Sequence, residues 1–68
     1  MKEIKIVTEY IKLDQFMKFQ GIVSTGGEAK QIITSGDVKV NGKVELYRGK
    51  KLRINDIIEY RGKAYKIV

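Results

Sequence analysis

Neither cysteine nor histidine occurs in this 68-residue chain. Disulfides and Cys/His zinc sites are thereby excluded, and so is any catalysis that needs an imidazole or a thiolate. Proline and tryptophan are also missing, and only four Tyr and two Phe supply aromatic surface. Without Pro-rich, low-complexity or repeated stretches there is no linker to divide the chain. Residues 1–68 are therefore expected to form a single domain. A chain this short buries only about 60% of the surface that its unfolded form exposes, so packing and hydrogen bonds alone must stabilise a small core. Met1 to Glu9 alternates charged and apolar residues and lacks the apolar stretch of a secretory signal. No apolar run approaches the ~20 residues that span a bilayer. A cytoplasmic protein is expected, with no membrane partner and no cofactor.

Acidic residues are scarce as well: eight Asp and Glu stand against fourteen Lys and Arg, a formal charge of +6. Such an excess on a small surface steers polyanions toward it. No cationic amphipathic helix stands out for a membrane surface, so a nucleic acid is the favoured partner.

Hydrophobic periodicity divides the chain into short elements. Glu3 to Val7 alternates, with Ile4 and Ile6 on one face, as in a strand. Leu13, Phe16 and Met17 are spaced as an apolar helical stripe. Asp14 lies in the first turn of that helix, where the dipole favours it, and Gly21 lies just past its end. Thr25 and Glu28 make a capping box that opens a second helix of about ten residues, with Ala29, Ile32 and Ile33 as its apolar face and Gly36 closing it. From Asp37 the pattern turns to sheet. Val38 and Val40 flank Lys39, Asn41-Gly42 is a strong two-residue hairpin signal, and Val44 and Leu46 continue on the return. After the basic loop Tyr47 to Lys51, Leu52–Ile54 and Ile57–Tyr60 read as strands separated by Asn55-Asp56. Arg61-Gly62 turns the chain into a last strand, Ala64–Val68. The expected fold is α+β, two short helices packed on a small, mostly antiparallel sheet in the order β-α-α-β-β-β-β.

The glycines at 21 and 26 have P-loop spacing, but Gly27-Glu28 occupies the Lys-Ser/Thr positions and a helix precedes instead of a strand. Nucleotide hydrolysis is rejected on these grounds. What remains at Thr25, Gly26 and Gly27 is a helix N-terminus whose backbone N–H groups can face a phosphate, set against the plainer reading that the glycines only bend the inter-helix turn. Lys30 follows that turn. Lys12 and Lys18 flank or ride the first helix, and Lys39 and Lys43 bracket the hairpin turn. Arg48, Lys50, Lys51 and Arg53 place four cations in six residues. Tyr47, beside them, is a candidate for stacking on an unpaired base. Lys2, Lys5, Lys63 and Lys66 read as solvated surface, and Phe16 as core. Asp14 and Glu28 have ordinary helix-capping explanations, so no catalytic constellation is identified and no enzyme is expected.

Residues 12–56 resemble the S4 RNA-binding domain. The likeness is carried by Leu13-Asp14-Gln15-Phe16 and Gly21, by Glu28-Ala29-Lys30-Gln31-Ile32-Ile33 and Gly36, by Val38-Lys39-Val40-Asn41-Gly42, and by Leu52 and Asp56. It covers about two thirds of the chain. The segments Thr25–Lys30 and Arg48–Leu52 make it most similar to small free-standing bacterial S4-domain proteins of the YaaA/YbcJ type. The resemblance implies an αL motif, in which the helix pair and a β-hairpin share one RNA-facing surface, and a monomer that binds structured RNA of the rRNA or tRNA class or a ribosomal particle. Many S4 domains carry Ser-Arg just before the second helix. Thr25-Gly26 stands there in this chain, so the N–H groups of Gly26 and Gly27, together with Lys30, would replace the guanidinium. Lys12 stands where many relatives have Arg. Two other readings stay open: a small adaptor whose basic surface meets an acidic protein in ribosome assembly or RNA metabolism, and a DNA binder. DNA ranks below RNA because no recognition helix with base-reading Arg or Asn is evident.

Overall fold

A computed structural model describes residues 1–68. Two helices lie against one face of a five-stranded sheet, and a two-stranded ribbon closes one end. The strands of the large sheet are β1 (Lys2–Ile4), β3 (Val38–Val40), β4 (Lys43–Val44), β6 (Ile57–Tyr60) and β7 (Lys63–Ile67), in the spatial order β1-β7-β6-β3-β4. All neighbours are antiparallel except β1 and β7, which pair in parallel with Ile4 opposite Ile67. The ribbon joins β2 (Ile11–Lys12) to β5 (Lys51–Leu52). The helices are α1 (Leu13–Phe19) and α2 (Gly26–Thr34). No helix is long and apolar enough to cross a membrane.

The apolar stripe of α1 is buried as its spacing predicts, with Leu13 and Phe16 at zero exposure. The helix ends in a Schellman motif. Gly21, at φ +71°, donates its N–H to the Lys18 carbonyl, and Ile22 donates to that of Met17. In α2, Ala29 and Ile33 face the core. Thr25 caps this helix as expected: its Oγ1 accepts the Glu28 N–H at 3.2 Å, and Glu28 Oε1 reaches back to the Ser24 N–H at 3.1 Å. Beneath the helices, Val38, Val40, Ile58, Tyr65 and Ile67 complete a core of thirteen residues, none of them charged. The Phe16 and Tyr65 rings meet edge to face at 5.3 Å, an arrangement that places the positive edge of one ring on the negative face of the other.

The α+β class and the two helices are as expected, but several strand limits are not. The first strand stops at Ile4, short of the expected Val7. Its partner β7 ends at Ile67, and only the Ile6 N–H still finds an acceptor, on Val68. The return strand stops at Val44 and leaves Leu46 exposed, because β3 is only three residues long. The strand expected over Leu52–Ile54 is β5, ending at Leu52. There the Asp56 carboxylate accepts the Arg53 N–H at 2.8 Å and starts a turn with Asn55 at φ +79°. The element order is β-β-α-α-β-β-β-β-β, two strands more than the expected β-α-α-β-β-β-β, and of the observed strands only β2 has no counterpart in the residue pattern.

Asn41-Gly42 forms the expected hairpin turn, with φ of 53° and 83°. Asn41 also ties the hairpin to the turn at 53–56. It exchanges hydrogen bonds with Ile57, donating its N–H to the Ile57 carbonyl at 2.8 Å and accepting the Ile57 N–H on Oδ1 at 2.9 Å, while Nδ2 donates to Asp56 Oδ1 at 3.0 Å. The turn that follows β5 is thereby tied to the hairpin through the side chains of Asn41 and Asp56.

Candidate nucleic-acid interface

The ribbon sets the geometry. Ile11 and Leu52 are register partners and both are buried, which turns the next pair, Lys12 and Lys51, outward and directly opposite one another. Like charges facing each other across a strand pair disfavour the pairing. Burial of the Ile11–Leu52 pair holds it in place.

The basic loop is fixed on the same end of the molecule. Lys12 occupies the N-cap of α1 and supplies no side-chain cap. Two of the donors a helix leaves unpaired at its start are met by the loop instead: Leu13 donates its N–H to the Lys50 carbonyl at 2.8 Å, and Asp14 donates to the Arg48 carbonyl at 3.0 Å. A turn bond from the Lys50 N–H to the Tyr47 carbonyl closes the loop. Arg48 and Lys50 are therefore held at the mouth of α1 by their own backbone, with their side chains exposed. The backbones of Lys12, Arg48, Lys50, Lys51 and Arg53 are thus brought to one end of the molecule, and all five residues are exposed.

Two tyrosines frame it. Tyr47 is 67% exposed, and its ring lies so close over Gly49 that a Cβ at that position would stand 2.7 Å from Cζ. Glycine at 49 leaves room for the hydroxyl end of the Tyr47 ring over the loop. Tyr10 carries two cations: Lys51 Nζ lies 4.8 Å from its ring centroid and Arg53 Cζ lies 5.8 Å away. Contacts of this kind contribute roughly 0.5–1 kcal/mol at exposed sites. Sequence reasoning passed over Tyr10, because its place became visible only with the pairing of β2 and β5, strands of two residues each.

Other expected contacts lie elsewhere. Gly26 and Gly27 begin α2, and neither has a positive φ or a packing neighbour that demands glycine. Lys30 is exposed early in α2, and Lys18 is exposed in the last turn of α1. Lys39 is on the sheet face away from the helices, in register with Glu59, so it does not join the cluster. Lys43 is at the hairpin edge, beyond the turn. An open groove of about 700 Å³ lies between residues 4–11 and α1. Its lining includes Val7 and Phe19, both exposed, and none of the cations expected to meet RNA.

The S4 domain family matches the chain over residues 4–68. The protein belongs to that family. A relative from Bacillus subtilis (strain 168), described as a probable ribosome maturation protein, RlbA, is 39% identical over 59 residues, which is 87% of this chain and 83% of the relative. The solution structure of YbcJ from E. coli, described as revealing an αL motif involved in RNA-binding, superposes with a TM-score of 0.73 at 26% identity. It covers all of this chain and 87% of that one. The arrangement of two helices on a mostly antiparallel sheet is thus the S4-type αL fold.

Proposed function

We propose that this protein binds structured RNA, of the rRNA or tRNA class, without catalysing a reaction on it, and that it does so as a cytoplasmic monomer acting on a ribosomal particle. The observation that carries this reading is the convergence of Lys12, Arg48, Lys50, Lys51 and Arg53 where the ribbon, the basic loop and α1 meet. Cations gathered at this density attract phosphates, which position a partner without specifying its sequence. A-form RNA is then selected by shape and by its 2′-hydroxyls. Tyr47, close over Gly49 and open to solvent, offers a stacking surface for an unpaired base beside those phosphates. Gly26, Gly27 and Lys30 offer a second phosphate contact, apart from the ribbon end, at the start of α2, where the Glu28 carboxylate is already engaged with the Ser24 N–H. The B. subtilis relative's description as a ribosome maturation protein favours rRNA within this class.

Fluorescence anisotropy with a labelled RNA hairpin, repeated across a range of salt, tests the proposal. With four to six phosphates neutralised, log K should fall against log[salt] with a slope of about −3 to −5. Substituting Lys30, Arg48 and Lys50 together by Ala should weaken binding and flatten the slope while circular dichroism stays native, because exposed charges contribute little to stability. A salt-independent wild-type affinity, or equal competition by DNA of matched structure, would overturn it.

A further inference from the structure

We propose that Tyr10 is a positioning residue for a phosphate cradle on the ribbon, holding Lys51 and Arg53 beside Lys12 so that the three cations grip one stretch of polyanion backbone. This rests on the RNA-binding reading and assigns it a specific contact. Elsewhere in the molecule, the cross-strand partners of the sheet cations are carboxylates or uncharged residues: Lys39 is opposite Glu59 and Lys66 opposite Glu3, while Lys2, Lys43 and Lys63 are opposite Tyr65, Val40 and Tyr60. Only on the ribbon does a lysine face a lysine, and neither strand there carries an acid. Two strands of two residues each are a weak frame for such a pair. A local charge conflict that the rest of the fold avoids is the kind of violation that marks a functional site.

The ring explains how the conflict is tolerated in the free protein. Tyr10 precedes Ile11 and Arg53 follows Leu52, so the two flank the ladder at its outer end. The negative face of one ring attracts both Lys51 and Arg53, at 4.8 and 5.8 Å, and steers two flexible cations to one place. A phosphodiester entering between them and Lys12 would neutralise the repulsion and meet side chains already ordered, which lowers the entropic cost of binding.

The test is anisotropy with a labelled RNA hairpin, across a range of salt, for the wild type, Tyr10→Phe, Tyr10→Leu, Lys51→Gln and the double variant Tyr10→Leu/Lys51→Gln, with Lys66→Ala on the opposite face as control. Tyr10→Phe keeps the ring and should match the wild type, as should Lys66→Ala. Tyr10→Leu and Lys51→Gln should each lower affinity about three- to tenfold and reduce the salt slope by about one. The double variant should lose less than the two losses combined, because both remove the same arrangement. A purely structural Tyr10 would alter stability and leave the slope alone. Native circular dichroism with an unchanged slope in Tyr10→Leu overturns the proposal while leaving RNA binding intact. Should Tyr10→Leu not fold, Tyr10→Met, apolar and ringless, takes its place and is read in the same way. Should the wild type show no salt-dependent RNA binding, the RNA reading falls, and the cradle is read by NMR with tripolyphosphate as the probe. Side-chain signals of Lys12, Lys51 and Arg53 that shift together in the wild type, and less in Tyr10→Leu, sustain it. No shift, or an equal shift in both, overturns it.

Discussion

Asn41 shows how one side chain can do two jobs. Its backbone sits at φ 53°, a region that Asn tolerates better than most residues, and its amide bridges Asp56 and the Ile57 N–H. Replacing it by Ala removes both side-chain bonds and leaves the left-handed backbone to a residue that disfavours it. The expected loss is about 1–2 kcal/mol, kept modest because the site is exposed and water can reach the freed groups; urea denaturation measures it. Asn41→Asp keeps an acceptor for Ile57 but turns a second carboxylate toward Asp56, so it should be no better than Ala. Gly49 is the opposite case, a residue whose lack of a side chain serves a neighbour. A Cβ there meets the Tyr47 ring at 2.7 Å, and that ring is the mobile end of an exposed side chain. Gly49→Ala should thus displace the ring at a stability cost within about 0.5 kcal/mol. If Tyr47 stacks on a base, RNA affinity in the anisotropy assay should nevertheless fall several-fold.

At the scale of elements, α2 depends on its cap. Nine residues make too short a helix to persist alone, and Thr25 supplies the acceptor for the Glu28 N–H. Thr25→Ala should cost about 1 kcal/mol, seen as a lower urea midpoint at unchanged slope, whereas Thr25→Ser should be close to neutral. This cap, the α1 stripe and the Asn41-Gly42 turn were all legible in the sequence, because each depends on residues within a few positions of one another. The ribbon was not. Strands of two residues show no period, and Ile11 and Leu52 find each other across forty intervening positions. The parallel pairing of β1 with β7 was hidden for the same reason, since nothing local in Lys2–Ile4 names a partner at the far end of the chain. The site followed the same rule. The density of cations from Arg48 to Arg53 was visible as a run, but the arrival of Lys12 and Tyr10 beside it depended on non-local pairing. Lys39, adjacent in sequence to the hairpin turn, points to the other face because strand residues alternate.

At the scale of the whole molecule, the small core and the crowded charge are linked. Thirteen buried residues support a chain of 68, and stabilities of this size run to about 3–10 kcal/mol at the usual contribution per residue. Self-repulsion among cations at the ribbon end lowers that figure, so an anion bound there should return stability to the fold. Anything that binds the native state alone stabilises it by mass action, by about 2.7 kcal/mol when the free ligand is a hundredfold above its Kd. In a domain this small that corresponds to a rise in Tm of roughly 10–20 °C. RNA hairpin at such an excess should therefore raise the melting temperature in differential scanning calorimetry, and added salt should erase the rise in step with the loss of affinity. The variant with Arg48, Lys50 and Lys51 all replaced by Ala separates the two contributions. Relief of like-charge repulsion should leave its free Tm equal to or above that of the wild type, while RNA should no longer move it. A variant that melts lower without RNA yet still gains the full shift with it would place the RNA contact away from the ribbon end.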